Sequence, residues 1–201
     1  MKKSVFCAIA FGALMAVSVA CTLQTTQATM EKSVLRLHVR ANSNSRQDQE
    51  LKMKVRDCIL EKGKDIFASQ KDIDGARVAA AANLDALKSA AEKEIKANGY
   101  SYPVDVRLSG EHFPAKHYGS IYIPSGNYEA LVVDIGDGVG DNWWCVMFPP
   151  LCFVNEACEK LPHDSEEILI DNLGAKNYAM LTDTKPAIKF KVYELWKELQ
   201  K

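Results

Sequence analysis

The stretch Ser33-Val34-Leu35-Arg36-Leu37-His38-Val39-Arg40 alternates, with Leu35, Leu37 and Val39 on one side and Val34, Arg36, His38 and Arg40 on the other. A period of two is the pattern of a half-buried β-strand, whose successive side chains leave opposite faces of a sheet. The period then changes. Ala41-Asn42-Ser43-Asn44-Ser45 is a polar turn cluster, and Ser45-x-x-Asp48 has the spacing of a helix-starting capping box. Beyond it Leu51, Val55, Cys58, Ile59 and Ile66 fall on one helical face, while Lys52, Arg56, Lys62 and Lys64 mostly point away. On this reading Cys58 is a core residue, and Gly63 weakens the helix interior by roughly 1 kcal/mol relative to alanine.

Working outward, Lys71 to Gly75 is a polar break before a second helical pattern from about Ala76 to Ala97. There Ala80, Leu84, Leu87, Ala91 and Ile95 share a face, and Asn98-Gly99 supplies a left-handed stop. Period two returns after Tyr102-Pro103, where Val104, Val106 and Leu108 alternate with Asp105 and Arg107. Tyr118 to Ile123 reads as a further strand, Pro124-Ser125-Gly126-Asn127 as a turn, and Tyr128 to Ile135 as its antiparallel hairpin partner. Trp143 to Phe148 reads as a central or interface strand ahead of a double proline. A short helix is expected around Ser165 to Asn172, and a final amphipathic helix carries Ile188, Val192, Leu195, Trp196 and Leu199. One strand, two helices and a run of strands predict an α+β two-layer sandwich. Its sheet is mainly antiparallel, made of the N-terminal strand and a C-terminal meander, and packs against the two helices.

The chain has 201 residues, 47% of them apolar, which excludes a disordered polymer. Its 25 basic and 26 acidic residues give a net charge of −1, so no bulk charge draws it to nucleic acid or to an anionic membrane. The charges are unevenly placed. Lys2 and Lys3 precede an apolar run over most of Val5 to Ala20, and no charge occurs from Ser4 to Met30. Ser18-Val19-Ala20 and Thr26-Gln27-Ala28 are cleavage points of the small-residue kind, so residues 1–28 read as a secretory signal peptide. An uncleaved N-terminal anchor is the alternative, and Cys21 also admits a lipid-anchored structural protein. Residues 33–160 are then the α+β domain and 161–201 a C-terminal helical extension. Cleavage would remove both leader lysines and take the mature chain to −3.

Export permits disulfides, and four cysteines lie beyond Cys21: Cys58, Cys145, Cys152 and Cys158. Cys145 and Cys152 are the candidate pair, because Pro149-Pro150 stiffly redirects the chain between them. The competing reading keeps Cys145 as a small core hydrophobe among Trp143, Trp144, Val146 and Phe148. No paired C-x-x-C suggests zinc, and neither a metal nor a cofactor is expected. Asp134-Ile-Gly-Asp137-Gly-Val-Gly-Asp141 lacks the ligand spacing of a calcium loop and is not a G-x-G-x-x-G nucleotide loop, so it reads as a tight glycine turn between strands. His38, His112, His117 and His163 with the cysteines are raw material for a thiol enzyme, but no cysteine sits in a glycine-flanked elbow or at a helix start. His38 beside Arg40 reads as a hydrogen-bonding residue rather than a base.

Asn142-Trp143-Trp144-Cys145-Val146-Met147-Phe148-Pro149-Pro150-Leu151-Cys152-Phe153 is the strongest single feature. Adjacent tryptophans on a strand face opposite ways, so both are buried only if both faces are covered. Otherwise one is exposed beside rigid prolines, as partner interfaces use such residues. A large core strand is the other reading.

These segments also carry a resemblance. Arg36-Leu-His38-Val-Arg-Ala-Asn42-Ser43 with Asp48-Gln49 and Lys54-Val55-Arg56-Asp57, then Tyr102-Pro103-Val104, Phe113-Pro114, Lys116-x-Tyr118-Gly119, Pro124-x-Gly126-x-Tyr128-Glu129-Ala130, Asn142-Trp143-Trp144-Cys145 and Phe148-Pro149-Pro150-Leu151-Cys152, resemble in order the stage II sporulation protein R family. The resemblance covers about Leu35 to Val154. It implies a non-enzymatic signal of endospore formers, exported from the forespore into the intermembrane space. There it would activate a membrane-embedded aspartic protease of the mother-cell membrane that cleaves the sigma factor E precursor. Membrane contact would come only through leader or receptor. The expected partner-binding candidates are His38, Arg40, Asn42, Ser43, Asn142, Trp143, Trp144, Pro149, Pro150 and Leu151. The alternative is an exported thiol-dependent or envelope hydrolase using Cys145 or Cys152 with a histidine.

Overall fold

The computed structural model describes residues 12, 15–17, 27–152 and 163–182. After a helical segment at residues 27–33, the described elements are β1 (Leu35–Arg40), α1 (Arg46–Phe67), α2 (Ile73–Ala82), α3 (Leu84–Ala97), β2 (Val104–Phe113), β3 (Lys116–Tyr118), β4 (Ile121–Ile123), β5 (Gly126–Ile135), β6 (Asn142–Phe148), α4 (His163–Leu173) and α5 (Ala175–Thr182). The class is α+β, as the periodicity predicts. The strand order of the main sheet is β2-β5-β1-β6, so the first strand is central.

Leu35, Leu37 and Val39 are fully buried on the face that receives α1 and α3. Their same-face neighbours are Leu131 and Val133 on β5 and Trp143 and Cys145 on β6. Val104 and Val106 of β2 lie on this face too, against α3, which contributes Leu87, Ala91 and Ile95. Gly63 has a packing reason: a Cβ there would press on the end of the Met147 side chain. The opposite face carries Arg36, His38 and Arg40, and the separate two-stranded hairpin β3-β4 covers its Arg36 end.

The strands depart from the expected meander. β5 does not pair with residues 118–123; it pairs antiparallel with all of β2 and parallel with β1, while 116–123 folds on itself as β3-β4. The Gly119 turn, at φ 57°, closes that short hairpin locally. Ten residues of β2, alternating in burial at their start, offer β5 a longer ladder than the three-residue β4 could. β6 is an edge strand among the described residues, not a central one.

The helical pattern from 76 to 97 is interrupted rather than continuous, so α1 is joined by two helices where one was expected. Asn83 leaves helical geometry at φ −115° and ψ 11°, and its Nδ2 donates to the Ala79 carbonyl at 2.8 Å, a side-chain bond that competes with the helix ladder. Cys58 is half-buried at the α1-α3 seam rather than in the core, its Sγ 3.6 Å from the Ala90 carbonyl. The helix expected around Ser165 to Asn172 is α4. The amphipathic pattern from Ile188 to Leu199 and the leader cleavage points up to residue 26 lie outside the described residues, as does Cys158. Among the described residues, no helix is long and apolar enough to cross a membrane.

Candidate functional site

The C-terminal end of β1 is a junction. Ser45 caps α1, its Oγ accepting from the Asp48 amide at 3.2 Å. The Asp48 carboxylate does not complete the expected reciprocal box. It accepts instead from Ser43 Oγ at 2.6 Å and Asn42 Nδ2 at 2.9 Å, and these bonds hold its pKa below the usual carboxylate value. Over this junction passes the loop from β5 to β6. Because β1 separates those two strands, the loop is a bridge over the end of β1 and not a tight turn between neighbours. The Gly140 amide donates to the Ala41 carbonyl at 2.9 Å, the Asp137 amide to Asn42 Oδ1 at 3.0 Å, and the Asp141 amide to Asn44 Oδ1 at 2.6 Å. Gly136 and Gly138 take φ of 60° and 61°, where a side chain is strained. Lys52 does not point away from the core as expected. It is buried, its Nζ donating to the Asp141 carbonyl at 2.9 Å and to Gln49 Oε1 at 2.5 Å, and burial lowers its pKa. The polar run from Asn42 to Lys52 is thus a latch that ties the bridge to β1 and α1.

Beside the latch, on the face away from α1 and α3, lies a charged and aromatic patch. Arg40 grips Asp134 with two bonds, Nε to Oδ1 at 2.5 Å and Nη2 to Oδ2 at 2.8 Å. Arg107 reaches the same Asp134 Oδ2 at 2.6 Å and Asp105 at 2.6 Å. Glu111 stands 4.0 Å from Arg40, 3.9 Å from Arg107 and 3.6 Å from His38 Nδ1. Burial works to raise the Asp134 carboxyl, but hydrogen bonds from both arginines outweigh it and hold the pKa down. Those same bonds raise Arg40 and Arg107 against the opposing effect of burial. His38, 5% exposed, is lowered chiefly by burial and is therefore mostly neutral at pH 7. Its Nε2 lies 2.7 Å from Asn142 Oδ1, and its ring centroid is 5.8 Å from the Trp144 ring.

Arg36 forms the floor. It is fully buried, with its guanidinium carbon 4.2 Å from the Phe113 ring centre and 5.1 Å from that of Tyr128, its Nε donating to the Cys145 carbonyl at 3.1 Å and its Nη2 to Tyr118 at 3.4 Å. No carboxylate among the described residues pairs with it, so aromatic faces carry the charge and burial lowers its pKa. The hairpin β3-β4 is held down by this residue.

The sequence-predicted partner residues therefore separate into distinct places. His38, Arg40, Asn142 and Trp144 converge on the patch. Asn42 and Ser43 spend their side chains inside the latch. Trp143 faces the other way, half-buried under the Arg56 guanidinium at 4.2 Å. Pro149 and Leu151 are buried at the far end of β6, and Pro150 is exposed there. The bond Cys145–Cys152 is present, with Cα atoms 5.2 Å apart. Both sulfurs are thereby withdrawn from the thiol chemistry that the hydrolase alternative requires. Cys58 is no substitute, since burial raises its thiol pKa. Cys152 also borders a mainly apolar cavity of about 240 Å³ with Gly63, Phe67, Met147 and Ile168. His112 bonds Asn127, the His117 ring lies tilted against that of Tyr122 with centroids 4.9 Å apart, and the side chain of His163 lies outside the described residues. No metal-sized cluster of histidine, cysteine and acidic groups occurs among the described residues.

Sequence reasoning did not single out Arg107, Glu111 and Asp134. The signal was the alternation of β2, which places Asp105, Arg107 and Glu111 on one face; what was missing was the register that sets this face beside Asp134 of β5, which in turn pairs with Arg40 of β1.

The family model for stage II sporulation protein R matches residues 31–158, a span that holds both the latch and the patch. The stage II sporulation protein R of Bacillus subtilis (strain 168) is 36% identical over 77% of this chain and 73% of its own length. No solved structure matches. The matched span takes in β1 through β6 and every residue of the junction and of the charged face, and on that ground the chain belongs to the stage II sporulation protein R family.

Proposed function

We propose that this protein is an exported sporulation signal. It activates, by contact, a membrane-embedded aspartic protease of the mother-cell membrane, which then cleaves the sigma factor E precursor. The contact face is the patch of His38, Arg40, Asn142 and Trp144 with Arg107, Glu111 and Asp134. Support comes from family membership, from the leader-like residues 1–28 and above all from one observation. Polar groups from four strands are locked to one another on the face away from α1 and α3 by half-buried ion pairs and a hydrogen bond, giving a rigid and specific surface. Rigid arginine and tryptophan side chains are the residue types that anchor interfaces. Recognition rests on shape and local pairing, because the chain's net charge is small.

The test is reconstitution of the full chain with the protease and its precursor, scored by precursor cleavage. Trp144→Ala and Arg40→Ala at normal protein levels should each abolish cleavage, whereas Arg46→Ala, on an exposed α1 ion pair, should leave it intact. Cleavage that persists in both patch variants assigns the contact to another surface.

A further inference from the structure

The outer edge of β2 is a second surface, adjoining the patch through Arg107 and Glu111. Pro103 directs its carbonyl to the Gly136 amide at 2.8 Å, extending the β2-β5 ladder by one pair. By strand alternation, residues 105, 107, 109, 111 and 113 turn their backbone groups toward β5, while Val104, Val106, Leu108, Gly110 and His112 turn theirs outward. Among the described residues β2 pairs only with β5, so this ten-residue outer edge has no strand beside it. Open edges of that length are usually blocked.

Gly110 is the anomaly on this edge. It is exposed, it does not have positive φ, and a Cβ added there would meet nothing within 4 Å. Neither backbone conformation nor crowding within the chain calls for glycine. With no bulge in the β2–β5 register, a glycine inside this strand points to a place where another backbone or a ligand approaches closely.

We infer that β2 pairs antiparallel with β2 of a second copy about a two-fold axis at Ser109. In this register Leu108 of each copy lies opposite Gly110 of the other on the helix-bearing face, so the half-buried leucine fills the open space at the glycine. On the opposite face Arg107 lies opposite Glu111 of the other copy, in close non-hydrogen-bonded pairs, and this occurs twice by symmetry. Neighbouring registers are worse. An axis at Leu108 sets Asp105 against Glu111, and an axis at Arg107 sets that arginine against its own copy. The outward groups of Val106 pair with those of His112, and the two sheets become one continuous sheet. Charge complementarity and the glycine gap together select a second copy over an unrelated strand.

The full chain should sediment as a concentration-dependent monomer–dimer mixture, and Gly110→Lys, which fills the gap and places a charge on the edge, should remain monomeric with an unchanged circular dichroism spectrum. Ser109→Cys, on the axis, should form a disulfide-linked dimer under mild oxidation well ahead of Asp105→Cys and of the unmodified chain, whose Cys58 is half-buried. A monomer at every concentration, a dimer that survives Gly110→Lys, or equal cross-linking of the two cysteine variants would each overturn the pairing. A parent chain that is monomeric at every concentration yet supports precursor cleavage would leave the patch reading standing while removing this one.

Discussion

Replacing Asn42 with alanine separates a structural from a receptor-facing role. The Asn42 amide donates to the Asp48 carboxylate at 2.9 Å and accepts from the Asp137 amide at 3.0 Å, so one side chain joins β1, the start of α1 and the bridge. A bond to a charged acceptor contributes about 1.5–3 kcal/mol and a neutral one about 0.5–1.5 kcal/mol. The lower half of each range applies, because Asp48 keeps its Ser43 bond and the Asp137 amide is exposed to water. Asn42→Ala should therefore cost about 2–3 kcal/mol, a sizeable part of the roughly 5–15 kcal/mol typical of a domain. Urea unfolding of the full chain measures it, with an unchanged denaturant slope certifying that the same surface unfolds. A double-mutant cycle with Asp48→Ala should return a coupling of about 1 kcal/mol or more. Signal per folded molecule should stay normal. If stability moves by less than about 0.5 kcal/mol while cleavage of the precursor is lost, Asn42 meets the receptor directly and the latch reasoning is refuted.

Three further outcomes are expected. Cys145→Ser/Cys152→Ser should lower stability by about 2.5 kcal/mol from the entropy of the short closed loop, read by unfolding under non-reducing conditions; equality with the parent would mean the bridge is not formed in solution. Trp143→Ala should reduce folded protein by exposing the α1 side of β6, whereas Trp144→Ala should spare stability more than activation; limited proteolysis beside the cleavage assay separates the two. For pH, the depressed pKa of Asp48 contributes stability that is fully present above about pH 4 and is lost as pH falls through its lower folded value, and His38, depressed by burial, loses its contribution as pH falls below about 6.5. Asp48→Asn should flatten the acid limb of a stability-pH profile and His38→Gln the limb just below neutrality, and profiles parallel to the parent's would contradict both.

The alternation in Leu35 to Arg40 and the spacing from Leu51 to Ile95 made the layers legible, because burial of one face imposes a period that sequence displays. Strand pairing was less legible. Nothing local in Tyr118 to Ile123 reveals that β5 prefers a ladder with β2, since that choice is made by the length and faces of a distant strand. The same holds for the patch: His38 and Arg40 were visible as polar residues on a strand, but Asp134 looked like part of a glycine loop until its register opposite Arg40 was known. Lys52 was misread because periodicity assigns lysines outward, and the carbonyl of Asp141 that receives it comes from far along the chain. The Cys145–Cys152 bond was within reach because both partners and the prolines between them are neighbours in sequence.

The central place of β1 bears on when the chain can fold, and through that on the export proposed above. A chain threaded amino end first delivers β1 early, yet its two sheet neighbours, β5 and β6, arrive only with residues 126–148. Until then the strand has no ladder to join, and pairings of such sequence separation form slowly. The topology therefore delays folding until almost the whole matched span is available; under the export proposed above, this would keep the polypeptide threadable during passage and make the finished surface a marker that translocation is nearly complete.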